Sequence, residues 1–233
     1  MLTRIIINIF VEMTTISFIK YKKNKYWAFK QMGEGYNFFK NIKGLLFLKF
    51  LGTGSGDGFS LFPDFSVYAI LCVWESEYYF NEFFKKSYYS KIISEKAFSR
   101  KDYFLNTIKS HGKWDGKNPF KEEVKVLNPN NKIGIITRAK LNKSKLLEFW
   151  LSVPSASKAI KEAKGVEWFK GIGEWPLVQQ ATFSVWDSME SVKNFAYKKG
   201  IHKEIVKKTR SRNWYNEDLF ARFEITKESY QMF

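Results

Sequence analysis

Cysteine is nearly absent. Cys72 stands alone, so no disulfide can form within the chain, and the count points to a reducing compartment. Histidine is almost as scarce. His111 and His202 are the only two, and they do not share a helix at metal-ligand spacing, which argues against a histidine-built zinc site. No Ser-His-Asp order, nucleophile elbow or paired carboxylates appear, so hydrolytic chemistry has no support. Only five prolines occur, consistent with a globular chain. No apolar run approaches the ~20 residues of a membrane-spanning helix. The stretch Met1–Met13 has one Arg, a short apolar run at Ile5–Val11 and no small-residue cleavage site, so no signal peptide is expected. These absences together predict a cytoplasmic protein, soluble or peripheral to the inner membrane.

Aromatic residues and lysine are abundant. The 233 residues include 23 Phe, 12 Tyr and 8 Trp, 18% of the chain. Such rings either fill a core or line a pocket for a flat apolar ligand. The net charge is +16, which attracts nucleic acid or anionic headgroups without choosing between them. There is no glycine-aromatic RNA-binding signature and no zinc-finger spacing, so nucleic acid is not expected as a partner. The basic cluster Lys198–Arg212 makes peripheral membrane contact an expectation to test.

The chain reads as a repeated pattern. Thr14–Lys22 alternates as a strand, Lys25–Ile42 is helical and Gly44 ends it. Leu45–Leu51 and Ser66–Trp74 are strands, and Glu77–Ile93 is a helix. Residues 94–118 are expected to be irregular, with Phe120–Leu127 closing the half as a strand. The second half offers strands at Lys132–Ala139, Val166–Ile172, Ala181–Trp186 and Leu219–Ile225. Its helices are Lys143–Ala163, broken or kinked at Pro154, and Met189–Lys208. Each half therefore reads β-α-β-β-α-β, a ferredoxin-like unit, over 14–127 and 132–226. Residues repeat as well: Val73-Trp74 and Phe83 recur as Val185-Trp186 and Phe195, and Gly44–Gly52 resembles Gly165–Gly173. One such sheet has a bare face, and pairing two within one chain buries both. The predicted fold is α+β, a tandem ferredoxin-like repeat forming an intramolecular dimeric α/β barrel.

Candidate functional residues carry two readings each. The glycine-rich GTGSGDG at Gly52–Gly58 lacks a Walker Lys-Ser/Thr pair and is not followed by a helix, so a connection between two strands is favoured over a phosphate cradle. Cys72, inside a strand-like run, reads as a buried structural thiol ahead of a thiolate heme ligand. His202 shares a helical face with Val192, Phe195 and Val206. From that pattern it is a core histidine before it is an axial ligand to heme iron. Arg138 and Arg222 lie in strands; each is either paired with a carboxylate such as Glu174, Asp218 or Glu224, or aimed at a pocket.

Nine segments in order resemble the spheroidene monooxygenase family of carotenoid-modifying enzymes. They are WAFKQMG (Trp27–Gly33), LKFLGTGSGDGFSLFP (Leu48–Pro63), VYAILCVWES (Val67–Ser76), GKWDGKNPF (Gly112–Phe120), ITRAKL (Ile136–Leu141), FWLSVP (Phe149–Pro154), GIGEWPLVQQATFSVW (Gly171–Trp186), FAYKKGIH (Phe195–His202) and WYNEDLFARF (Trp214–Phe223). The resemblance implies a monooxygenase carrying heme b, with O2, an electron donor and a lipophilic, carotenoid-type substrate as partners. It makes His202 the favoured iron ligand and Arg138 and Arg222 candidate catalytic pocket residues. Trp168, Trp175, Phe183, Trp186 and Phe195 become candidate pocket walls. Two alternatives stand beside it: another heme enzyme on the same barrel, dehydratase or peroxidase-like, and a non-catalytic binding barrel.

Overall fold

The computed structural model describes residues 12–56, 62–122, 124, 126–175, 177–198 and 212–233. Its first half runs β1 (Met13–Lys20), α1 (Lys25–Glu34), a 3-10 turn at Gly35–Phe39, β2 (Leu45–Gly54), β3 (Pro63–Trp74), α2 (Glu77–Lys86), α3 (Tyr88–Lys96) and β4 (Ser99–Gly112). The second runs β5 (Ile133–Leu141), α4 (Leu146–Lys161), β6 (Val166–Trp175), β7 (Gln179–Trp186), α5 (Met189–Lys198) and β8 (Tyr215–Met232). All strand pairs are antiparallel and close into one barrel in the order β1-β3-β2-β6-β7-β5-β8-β4. The two ferredoxin-like sheets join at both edges. The β4·β8 ladder runs from Ser99↔Met232 to Gly112↔Leu219, whereas β2·β6, among the described residues, holds Gly52↔Gly173 and Thr53↔Ile172. Closure leaves neither sheet with an unpaired edge.

The sequence repeat is a structural repeat. Trp74 and Trp186 are both buried, and each stacks obliquely on its helix phenylalanine: Trp74–Phe83 at 5.8 Å and 43°, Trp186–Phe195 at 5.2 Å and 42°. Gly44 and Gly165 open β2 and β6 with φ of +76° and +85°, a conformation that favours glycine. Their carbonyls accept from the N–H of Glu75 and Asp187 at 2.8 and 2.9 Å. A Cβ would strike Tyr79 at Gly44 and Ser191 at Gly165, each at 2.2 Å. Side chains alternate between the barrel interior and the helix-covered outer face.

Several expected boundaries are corrected. Residues 99–112 form the long strand β4 rather than an irregular segment. The middle of β4, Tyr103 to Leu105, is buried on both faces, and buried Asp102 accepts from Arg100 Nε at 3.0 Å, so no apolar/polar alternation survives. The described residues of Phe120–Leu127 are not in a strand. Phe120 plugs into the barrel against Phe223 at 5.1 Å, but its N–H bonds the Asn118 side chain rather than a ladder. The helix expected over Glu77–Ile93 is two helices. Ser87 turns extended (ψ 144°) and its hydroxyl accepts from the Ser90 N–H, capping α3. Pro154 does not break α4, which runs through it. GTGSGDG starts inside β2, at Gly52–Gly54, and runs on into the β2–β3 connection, part of it outside the described residues. The predicted continuation of α5 toward Lys208, His202 included, also lies outside them.

Candidate functional site

The barrel interior is filled. Phe18, Tyr103, Trp168 and Phe183 form one ring cluster, with Phe18–Trp168 edge to face at 4.8 Å and Tyr103–Phe183 at 5.1 Å. Trp168 and Phe183 are therefore core. One end of the barrel is stoppered by charge. Arg138, 1% exposed, bonds Glu217 and lies 3.4 Å from Asp115. Lys49 bonds Asp115 and, at 2.8 Å, Glu174, which also accepts from the Trp114 indole. Burial pushes the Glu217 carboxyl up. The N–H groups of Gly116 and Asp115 and the Arg138 guanidinium outweigh it, holding that carboxyl below the ordinary range. Arg138 thus anchors the segment around Trp114 into the barrel mouth.

The outer faces of the two sheets differ. In the first half, the row Ser17–Ile70–Phe50 lies beneath the helices. Phe50 is 3% exposed and packs edge to face on Tyr36 at 5.0 Å and Phe39 at 5.6 Å, within one continuous apolar cluster. The equivalent row of the second half is Thr137–Thr182–Gly171. A phenyl ring is replaced by hydrogen. Ser17 is buried, while Thr137, at the same place on the central strand, is exposed. The apolar packing splits accordingly. One cluster, around Leu141, Phe149 and Trp150, lies under the start of α4, and another, around Ile135, Trp186 and Val192, lies under α5. Small side chains floor the recess between them.

Among the described residues on this side of the sheet, Arg222 and Ser157 each have a buried polar atom without a partner. Arg222 pairs in register with Ile135 and so shares the helix-facing side. Its Nε is buried with no hydrogen bond, and its guanidinium lies 5.8 Å from the Phe220 ring. Ser157 Oγ, on the helix that spans this face, is likewise buried without a partner. Buried donors left unmade are costly and mark a place for a ligand. A flat apolar ligand bearing an anionic group suits the floor and the arginine together.

The predicted site residues therefore divide. Trp186 and Phe195 back the recess, and Arg222 edges it. Trp168, Phe183 and Arg138 face the barrel interior, on the other side of the sheet. Trp175 is 67% exposed at the β6–β7 turn, and His202 lies outside the described residues. Cys72 is buried, and desolvation pushes its thiol well above the usual range, leaving a structural thiol. No cluster of three or more metal-ligating side chains occurs among the described residues. Sequence reasoning missed Gly171, Thr137, Thr182 and Ser157. Aligning the two halves residue by residue exposes the first of these, since Phe50 aligns with Gly171.

No protein-family model matches the chain. The spheroidene monooxygenase of Cereibacter sphaeroides is 34% identical over 221 residues, covering 92% of this chain and 67% of the relative. The chain belongs to the spheroidene monooxygenase family. A second member, from Rhodobacter capsulatus, is 31% identical over 180 residues, 77% of this chain and 75% of that protein. Among solved structures, aldoxime dehydratase superimposes with a TM-score of 0.60 at 10% identity, covering 95% of this chain and 85% of that one. A structure of aldoxime dehydratase in complex with butyraldoxime gives 0.59 at 10% identity, covering 96% and 83%. At such identity they share the fold with this family member and nothing further. No helix among the described residues is long and apolar enough to cross a membrane.

Proposed function

We propose that the chain is a heme-dependent monooxygenase. It would carry heme b in the second-half recess and oxidise a lipophilic, polyene-type substrate with O2 and an external electron donor. The observation that carries this reading is that Gly171 stands where the first half has Phe50, on the same face of the sheet as Arg222, whose Nε is buried without a hydrogen bond. Family membership supports the reaction class, and the relatives' name, spheroidene monooxygenase, points to an acyclic carotenoid as the substrate type.

In this reading Arg222 binds a propionate, Gly171, Thr137 and Thr182 form the floor, and Trp186 with Phe195 exclude water from the back of the recess. His202 is the proposed iron ligand, on the strength of the family resemblance. Heme, when bound, supplies the oxygen-activating chemistry. The chain's own contribution is orientation and a dry wall, while Arg138 holds the barrel mouth from the far side of the sheet. The test is an absorption spectrum of purified protein titrated with hemin, wild type beside His202→Ala. A sharp Soret band that shifts or vanishes in the variant is expected. No specific band in the wild type ends the heme reading.

A further inference from the structure

Two exposed apolar clusters flank the short β2·β6 seam. In the first half, Tyr26 (76% exposed) and Phe29 on α1, Phe62 in the β2–β3 connection and Phe65 near the start of β3 are all exposed. Phe29 and Phe65 meet edge to face at 6.0 Å. In the second half, Leu147 and Leu151 stand one turn apart on α4, each 76% exposed, with Trp175 and Leu177 exposed at the β6–β7 turn. The Trp150 indole donates to the Leu177 carbonyl at 3.1 Å, joining helix and turn into one surface.

The clusters are equivalent by position, since α1 and α4 fill the same connection in their halves and the two turns correspond. In the seam, Gly52 faces its own counterpart Gly173. Antiparallel pairing of equivalent residues requires a two-fold axis between them, normal to the sheet. Features related by that axis stand at the same height along it. A flat surface perpendicular to the axis therefore meets both clusters at once.

The charge around them selects the occupant. Exposed Lys23 and Lys25 precede the first cluster, and Lys143 and Lys145 lead into the second. Glu148, the acid on α4, is already matched by Arg212 and Lys145. Leucine and aromatic side chains fringed by lysine suit the boundary between acyl chains and anionic headgroups. A second copy of a chain with net charge +16 would bring lysine against lysine. We propose that this face docks the protein peripherally on an anionic lipid bilayer, both clusters inserting together. The docking stands apart from the cofactor reading. Where both hold, α4 spans the recess and keeps it at the lipid boundary.

Flotation with vesicles of phosphatidylcholine containing about one-third phosphatidylglycerol tests this at physiological ionic strength. Wild type is expected to float. Tyr26→Ser/Phe29→Ser and Leu147→Ser/Leu151→Ser are each expected to lower partitioning at least roughly tenfold, because the clusters act together. Lipids brominated in their acyl chains should quench wild-type tryptophan emission more than that of Trp175→Phe. The proposal is overturned by a wild type that does not float. It is equally overturned by double variants that float unchanged, whether binding is by charge alone or the variants lose self-association instead. Vesicle binding needs no heme, so a colourless protein that floats removes only the cofactor reading.

Discussion

Phe50 and Gly171 hold equivalent places on the two sheets, and the phenylalanine is roofed by rings of its own half. Gly171→Phe is expected to fill the recess as Phe50 fills its counterpart. The variant should unfold within a few degrees of wild type and lose hemin uptake, whereas Gly171→Ala should retain most of it. Thermal melts beside hemin titrations at the Soret band check this, and unchanged uptake by Gly171→Phe would place the cofactor elsewhere. The arginines show where reading a sequence stops at this scale. Arg138 and Arg222 both sit among apolar strand residues and look alike in one dimension. Register alone sends Arg138 inward to Glu217 and Arg222 outward to the recess, and register is set by partners far along the chain. The same limit applies to Trp168 and Trp186, aromatic residues on neighbouring strands that end on opposite sides of one sheet.

Elements with a local signal were legible, and those dependent on distant packing were not. The tandem β-α-β-β-α-β order follows from alternation, helical spacing and the glycines at 44 and 165. β4 escaped because its middle is covered on both faces and its buried Asp102 is paired in the fold with Arg100 and Ser229 through Oδ2. Two glycines make opposite predictions about their elements. Gly165→Ala, at φ +85° with Ser191 and Asp187 in the way, should destabilise the protein by roughly 1–3 kcal/mol. Gly33→Ala, inside α1 with nothing within 4 Å of the new Cβ, should be neutral or stabilising by up to about 1 kcal/mol. Urea unfolding of both variants measures the pair. Equal effects would show that neither the left-handed conformation nor the close approach of α5 matters at Gly165.

At the scale of the molecule, the two sheets share both edges and a common core, so the halves are expected to unfold together. Acid tests this. Burial pushes the carboxyls of Glu217 and Glu228 up, but their hydrogen bonds and cations, Arg138 for the first and Lys101 with Lys132 for the second, hold both below the ordinary 4.5. Their contribution to stability is complete above that ordinary value and is lost as pH falls through the depressed folded values. Near- and far-UV circular dichroism should therefore report one coincident acid transition beginning below about pH 4.5. Glu217→Gln should be less stable at neutral pH with a flatter dependence on acid, and separated transitions would mean independent halves. The unequal seams have a mechanical consequence. A β4·β8 ladder running the full length of β4 is a spine, and a β2·β6 ladder of Gly52, Thr53, Ile172 and Gly173 is a clasp. Any parting of the two sheets then begins at the clasp and swings about the spine, as a book opens.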